Sequence, residues 1–369
     1  MEKKILLVTL EGSSNFGNRL QHYALQQACE ACGCSVDSLM LRQEKTIPML
    51  KRKNVVKTLL VLVGQKKYRE SLSKSRRAVK LLDFNRKWLT RCLHLKADAL
   101  KRTDWSSYDY AVTGSDQVWH NWHFTDISDE LSVFYLEFME EKKRISYAPS
   151  FGFTTFPPED LEQHRRGLMG MRALSCRERE GCELIRELTG REAVKVLDPT
   201  LLLTAVEWAA IEKKPTFKLK TPYLLQFFLG ETGTEYRTEI VRIARERGLR
   251  IVDIGNLNDP KHYAVSPNEF IWLMHHADTV CTDSFHASVF SVLFERNLRV
   301  FRRKQEGMED MFGRLHDLLE PLGLLCLVYG EGEGISTALS KDAKAYLASE
   351  RERSMDYLKR SLGTEERNP

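Results

Sequence analysis

The sequence lacks several features that would place it quickly. It has no apolar run long enough to span a bilayer: VVKTLLVLVG (Val55–Gly64) is too short and carries Lys57. No small-residue cleavage site follows MEKKILLVTL, so that stretch reads as a first strand rather than a signal peptide. Charge of one sign is not in large excess. Lys and Arg number 56 against 51 Asp and Glu, and the net charge of +5 does not by itself imply nucleic acid. There is no P-loop, no H-E-x-x-H, no nucleophile elbow and no EF-hand loop. The 8 cysteines are scattered. The tightest group, Cys29, Cys32 and Cys34 in CEACGC, has no second cluster to complete a zinc site and no strand before it to suit a redox motif. Buried, reduced thiols are the expectation, as in a cytosolic protein. No metal and no cofactor are expected.

What is present is alternation. In a chain of 369 residues, 42% hydrophobic, strand-like and helix-like runs follow one another almost throughout. This predicts an α/β protein with two doubly wound domains and a ligand cleft between them. The first domain takes residues 1–205, with strands at KKILLVTL, SVDSLML, YDYAVTG, RISYAPS, RALSCR and AVKVLD. The stretch LLLTAVEWAAIEKKPTFKLKTP, punctuated by Pro215 and Pro222, reads as the linker. The second domain takes residues 206–340, with strands at TPYLLQFFLG, LRIVDIGN, DTVCTD and LRVFRRK. Between them lie a helix ending at Gly248 and another with Ser266 as N-cap and Pro267 at its first position. Residues 341–369 read as a charged amphipathic helix. A basic helical insertion occupies about 45–105. Residues 51–104 hold many Lys and Arg against only Glu70, Asp83, Asp98 and Asp104. Either the insertion presents a solvated basic face, or it leans on anionic lipid or an anionic glycan carrier.

Four loops at strand ends carry chemistry. The first, LEGSSNFGNRLQHYALQQA (Leu10–Ala28), is polar but lacks the dinucleotide-binding glycine pattern. Asn15, Asn18, Arg19 and Gln21 offer donors at the start of a helix, which suits an anion or a polyhydroxylated group. The plainer reading is that Asn15 and Asn18 shape the turn. In VTGSDQVWHNW (Val112–Trp122), Gly114 permits a bend, and Ser115, Asp116 and Gln117 present polar groups. Trp119 and Trp122 either stack on a sugar or pack the interior, and Asp116 either caps a helix or meets ligand. In LSCRERE (Leu174–Glu180), Arg177 either clamps an anion or pairs with a neighbouring Glu. In VCTDSFHASVF (Val280–Phe290), a strand delivers Asp283 and a helix begins at Ser284 or Phe285, with His286 in its first turn. Arg302, Arg303 and Lys304 end the next strand and add positive potential. Arg314 and His316 read as a helix face only, and His275 and His276, without metal-ligand spacing in sequence, as structural.

Together NFGNRLQHYALQ, GSDQVW, SYAPSFG, SCREREG, VLDPTLLL and TDSFHASVFSVLF, in this order and within residues from about 5 to 325, resemble the polysaccharide pyruvyl transferase family. The resemblance implies a glycosyltransferase-B-like pair of Rossmann-type domains. It also implies transfer of pyruvate from phosphoenolpyruvate to two hydroxyls of a sugar, forming a cyclic ketal on a cell-surface polysaccharide or its lipid-linked precursor. By the resemblance His286 binds the donor and serves as acid, and Arg177 holds the donor's anionic groups. Asp283 orients His286 or takes a hydroxyl proton, and the opening loop lines the cleft. One tetrapeptide departs from the pattern. The better-described branch reads D-R-L-H, with its Arg on the donor, where this chain has Asp283, Ser284, Phe285 and His286. Either Arg302, Arg303 or Lys304 replaces that Arg, or the donor differs. The rival readings are a glycosyltransferase with a nucleotide-sugar donor and a non-catalytic scaffold of a glycan-assembly complex. The expected setting is the cytoplasm, with possible peripheral contact at the membrane's inner face through residues 51–104. No nucleic-acid partner is expected, and the oligomeric state is left open.

Overall fold

The computed structural model describes residues 2–10, 15–41, 47–122, 129–304 and 312–365. Glu11–Ser14 of the opening loop therefore lie outside the described residues.

Strands β1 (Lys3–Val8), β2 (Cys34–Met40), β3 (Cys92–His94), β4 (Tyr110–Thr113) and β5 (Arg144–Ser146) form one parallel sheet in the order β3-β2-β1-β4-β5. Strands β6 (Ser175–Cys176) and β7 (Val194–Lys195) pair with each other, and an Ile145–Ala173 bridge ties them to β5. Strands β8 (Tyr223–Phe227), β9 (Arg250–Asp253), β10 (Thr279–Thr282) and β11 (Asn297–Val300) form a second parallel sheet, ordered β11-β10-β8-β9. Helices cover both faces, so the central strands are apolar without alternation: Ile5, Leu6, Leu7 and Val8 of β1 are all fully buried. This is the Rossmann-like, doubly wound architecture, present twice, and two such sheets facing across a cleft make a glycosyltransferase-B-like arrangement. In each sheet the strand order reverses once, between β1 and β4 and between β8 and β10. Loops leaving the carboxyl ends of those strands diverge there and leave a crevice.

Local chemistry fixes the helix starts that matter. Asn15 caps the helix Phe16–Ala31 by accepting from the Gly17 N–H. Ser266 and Glu269 form a reciprocal capping box, with Pro267 at the first position of the helix Pro267–His276. Ser284 caps the helix Phe285–Leu293.

The two halves share one core. Phe16 stacks on Phe270 (centroids 4.7 Å apart) and lies 5.5 Å from Phe227, so the aromatic residue of the opening loop anchors in the other half. Leu20, Tyr23 and Ala24 belong to the same buried cluster as Phe227, Phe270 and Phe290. The insertion adds stitches. Its helix Arg69–Trp88 buries Arg77, which donates to the Tyr263 carbonyl at 2.9 Å, and Lys80 pairs with Glu269 at 2.6 Å. The helix before it, Ile47–Leu62, is largely solvated. The helix Lys341–Leu362 returns to the first half, where Ser354 accepts from Leu197 N–H at 2.9 Å and Tyr357 donates to the Ser146 carbonyl at 2.9 Å.

Candidate active site between the two sheets

A cavity of about 200 Å³ opens at the two points of reversal. It is lined from the first half by Asn15 and Asn18 after β1 and by Asp116, Gln117 and Trp122 after β4. From the second half come Leu229 after β8, Ser284, Phe285 and His286 after β10, and Arg303 and Arg314 after β11.

His286 sits where the halves meet. A Cβ on Gly17 would fall 2.1 Å from its Nδ1, so only glycine lets the first helix approach the imidazole this closely. Its Nε2 lies 3.7 Å from Asp198 Oδ2, an ion-pair distance longer than a hydrogen bond. Asp198 is buried, accepts from Arg177 at 2.8 Å and from Thr200 Oγ1 at 2.6 Å, and also receives the Ser115 hydroxyl at 3.1 Å. Burial alone would raise the Asp198 carboxyl. The charges of His286 and Arg177, with the Thr200 donor, outweigh it and hold the group well below the usual carboxylate range.

A second charged layer surrounds the cavity. Asp116 accepts from Asn18 Nδ2 at 2.6 Å and faces Arg177 at 3.5 Å and Arg314 at 3.8 Å. It has a φ of 68°, a conformation that Asp tolerates better than most residues, and it is not a helix cap. Arg314 is largely enclosed, its side chain 10% exposed, and desolvation together with the neighbouring Arg177 lowers its guanidinium to about 10. Among the described residues no hydrogen-bond partner meets Arg314 Nε or Gln117 Nε2. Two buried donors therefore border the cavity without acceptors, which is the signature of a site built for an anionic or oxygen-rich ligand.

Several side chains expected at the site serve elsewhere. Asp283 does not touch His286: its carboxylate accepts the Leu229 and Gly230 N–H groups at 2.7 and 2.8 Å and pairs with Arg303 at 3.4 Å. It shapes the loop after β8, while Asp198 takes the place beside the imidazole. Arg177 is enclosed by Asp198, Asp116 and Glu178 and stands behind the cavity wall. Gln21 donates to Thr9 and accepts from the Ser115 N–H, binding the loops after β1 and β4 together. Ser115 is fully buried against Ala148 and Asp198. Trp119 is fully buried and stacks 5.3 Å from Tyr135, so it is core, whereas Trp122 does line the cavity. Arg19 is buried beside His22, whose imidazole burial and then the Arg19 charge lower to about 3. Arg302 lies over Phe312 and pairs with Glu331, and Lys304 pairs with Glu235, so of the three cations after β11 only Arg303 lines the cavity.

Sequence reasoning missed Asp198, Arg314 and Gly17. The first and last lie inside the quoted VLDPTLLL and NFGNR motifs, where their partners in the other half are not visible. Nor does spacing along the chain reveal that His275 and His276 meet Glu212 of the linker. The ligand atoms of the three lie within 4.8 Å of one another, a geometry able to hold a metal ion, and none of the three lines the cavity.

Paired doubly wound sheets with a cation-lined cavity at both points of reversal define an α/β protein whose cavity is shared by its two halves. The chain belongs to the polysaccharide pyruvyl transferase family, whose sequence model matches residues 15–304. It is a transferase of that kind. No curated protein matches it. Among solved structures it is similar to Anabaena Alr3699/HepE in complex with UDP and glucose, with 8% identity, a TM-score of 0.45 and coverage of 99% of this chain and 100% of that one. It is also similar to UDP-GlcNAc 2-epimerase from Neisseria meningitidis bound to UDP-GlcNAc, with 10% identity, a TM-score of 0.48 and coverage of 96% and 99%. Neither likeness bears on what this chain binds.

Proposed function

We propose that this enzyme transfers pyruvate from phosphoenolpyruvate to two hydroxyls of a sugar in a cell-surface polysaccharide or its lipid-linked precursor, releasing phosphate. The observation that carries this reading is the cavity's charge pattern: Arg314 and Arg303 face His286 across a space of small-metabolite size.

Phosphoenolpyruvate presents a phosphate and a carboxylate. Arg314 and Arg303 are the cations lining the cavity that would meet them, with the start of the helix Phe285–Leu293 adding its positive end. Ser284 stands where the better-described branch has arginine, and Arg314 supplies a cation from a different element. His286, 3.7 Å from Asp198, gives a proton to the methylene carbon, which becomes the methyl group. An oxocarbenium-like centre develops at C2, and one sugar hydroxyl adds to it. The second hydroxyl displaces phosphate. Of the two hydroxyl protons, one replaces the proton spent on the methyl group and the other leaves with phosphate. Asp116, which faces the cavity, and His286, once deprotonated, are placed to relay them. Trp122, stacked with His120 at 4.3 Å between centroids, offers a face for the sugar.

The test is calorimetric titration of phosphoenolpyruvate, then of nucleotide sugars, into the wild type and His286→Ala. Saturable phosphoenolpyruvate binding that is lost in the variant supports the reading. A nucleotide sugar binding in its place sinks it.

A further inference from the structure

The helix Ile47–Leu62 carries apolar residues on both sides, more than a helix that meets only water needs. On the side facing its partner helix, Arg69–Trp88, Leu50 is its single buried residue and Ile47 and Val61 are half-buried, beside Lys57, which donates to the Ser71 carbonyl at 3.2 Å, and Thr58, whose Oγ1 accepts from Arg76 at 3.0 Å. The outward side is apolar. Val55, Val56 and Leu59 are 61%, 58% and 59% exposed, and Leu62 and Val63 are 75% and 74% exposed. A 3.6-residue repeat sets these positions on the side opposite Leu50, Asn54 and Val61. Met49 adds to the same side. Six of the large apolar side chains exposed among the described residues thus fall within fifteen consecutive positions of the chain (49–63). A contiguous apolar patch of this kind marks a contact surface.

The surrounding charge says what kind. Between Lys51 and Lys80 the chain holds eleven Lys and Arg and one acid, Glu70. Lys51, Arg52 and Lys53 stand at one end of the apolar stripe, and Lys66 and Lys67 follow the other, all exposed. Such a stripe repels a second copy of itself, because a two-fold contact would set basic clusters against each other. It is complementary to a surface that is apolar beneath and anionic above. Among the described residues no helix is long and apolar enough to cross a membrane, so the element would lie on a bilayer and not through it. Its mount is rigid: the partner helix is pinned to the second half by Arg77 and Lys80.

We infer that the helix Ile47–Leu62 docks this enzyme on an anionic phospholipid bilayer, with Val55, Val56, Leu59, Leu62 and Val63 entering the interface and the flanking lysines and Arg52 meeting the headgroups. The inference is independent of the donor chemistry above.

The test is sedimentation of the full chain with vesicles of mixed phosphatidylglycerol and phosphatidylcholine, and with vesicles of phosphatidylcholine alone. Binding should occur with the mixed vesicles only and weaken steeply with added salt. Neutralising Lys51, Arg52 and Lys53 together to Gln should weaken partitioning about a hundredfold, at about fivefold per cation. Leu59→Glu with Leu62→Glu should abolish it. Both side chains are exposed, so the melting temperature of this double variant should match the wild type. Equal binding to neutral vesicles, salt-insensitive binding, no binding, or unchanged binding by the double variant would each overturn the inference. So would a concentration-dependent dimer that the same variant dissolves.

Discussion

Replacing Gly17 by Ala tests whether the two halves jointly position the His286 imidazole, the proton donor of the proposed reaction. The new Cβ would lie 2.1 Å from His286 Nδ1 and 2.6 Å from Cγ and Cε1. Ordinary contact needs about 3.4 Å, so the ring or the start of the helix Phe16–Ala31 must retreat by more than 1 Å. His286 has little freedom to swing, being buried between Asp198, Phe285 and the first helix. Overpacking of this size costs ~1–3 kcal/mol. Alanine's better helix propensity returns at most ~1 kcal/mol, less at a helix start. Net destabilisation should therefore be up to ~3 kcal/mol by urea unfolding. Activity should fall by roughly 100-fold, because an ångström of misplacement at a reacting group costs that much. The two substitutions must also couple. In a His286→Ala background the space is empty and the stability cost of Gly17→Ala should vanish. Wild-type kcat in Gly17→Ala, or an unchanged stability cost in the double variant, would refute the claim that Gly17 is there to admit the imidazole.

Arg314→Ala should weaken phosphoenolpyruvate binding by roughly 10- to 100-fold, the loss of a charge-assisted contact, as read by calorimetry; its melting temperature should hold or rise, since a largely enclosed guanidinium with an unpartnered Nε is removed. Asp198→Asn should cost ~3 kcal/mol by urea unfolding, the low end for breaking a buried pair, because Asp116 and Glu178 still face Arg177 at 3.5 and 3.7 Å. Acid should destabilise the protein from near pH 6.5 downward. Burial, aided by Arg19, lowers His22 to about 3, and burial with His120 lowers His164 to about 4. The unfolded chain binds both protons first, so the stability present above 6.5 is lost as pH falls toward the folded values. The loss is ~1.4 kcal/mol per pH unit for each histidine, roughly 4 kcal/mol together at pH 5. His22→Asn should remove about half of that slope; an unchanged slope in unfolding experiments from pH 5 to 6.5 would contradict the assignment.

The strands were legible where they are fully buried, as in LLVT and VCTD, because parallel strands covered on both faces leave continuous apolar runs. Strand β3, Cys92–His94, was not: it is short, at the sheet edge and only partly buried, so it carries no such run. The loops bearing the cavity were legible because polar residues after a buried strand mark its carboxyl end. Their inward or outward aim was not. Trp119 and Trp122 are three positions apart in one loop, yet one is core and the other faces the cavity. Asp283 adjoins the helix that carries His286, but its carboxylate turns back to Leu229 and Gly230. Arg314 read as a helix surface because nothing local reveals that its helix packs over the opening between the sheets.

The position of Phe16 has a consequence for how this protein comes apart. Its ring is lodged between Phe227 and Phe270, and the buried cluster around it runs without a break from Leu20 and Tyr23 to Phe290 and Leu319. Neither sheet can lose its packing without uncovering the other's aromatic residues. Heating should therefore produce one cooperative transition, seen together by tryptophan fluorescence and circular dichroism. A chain divided within the linker should yield fragments that hold their native form only after recombining.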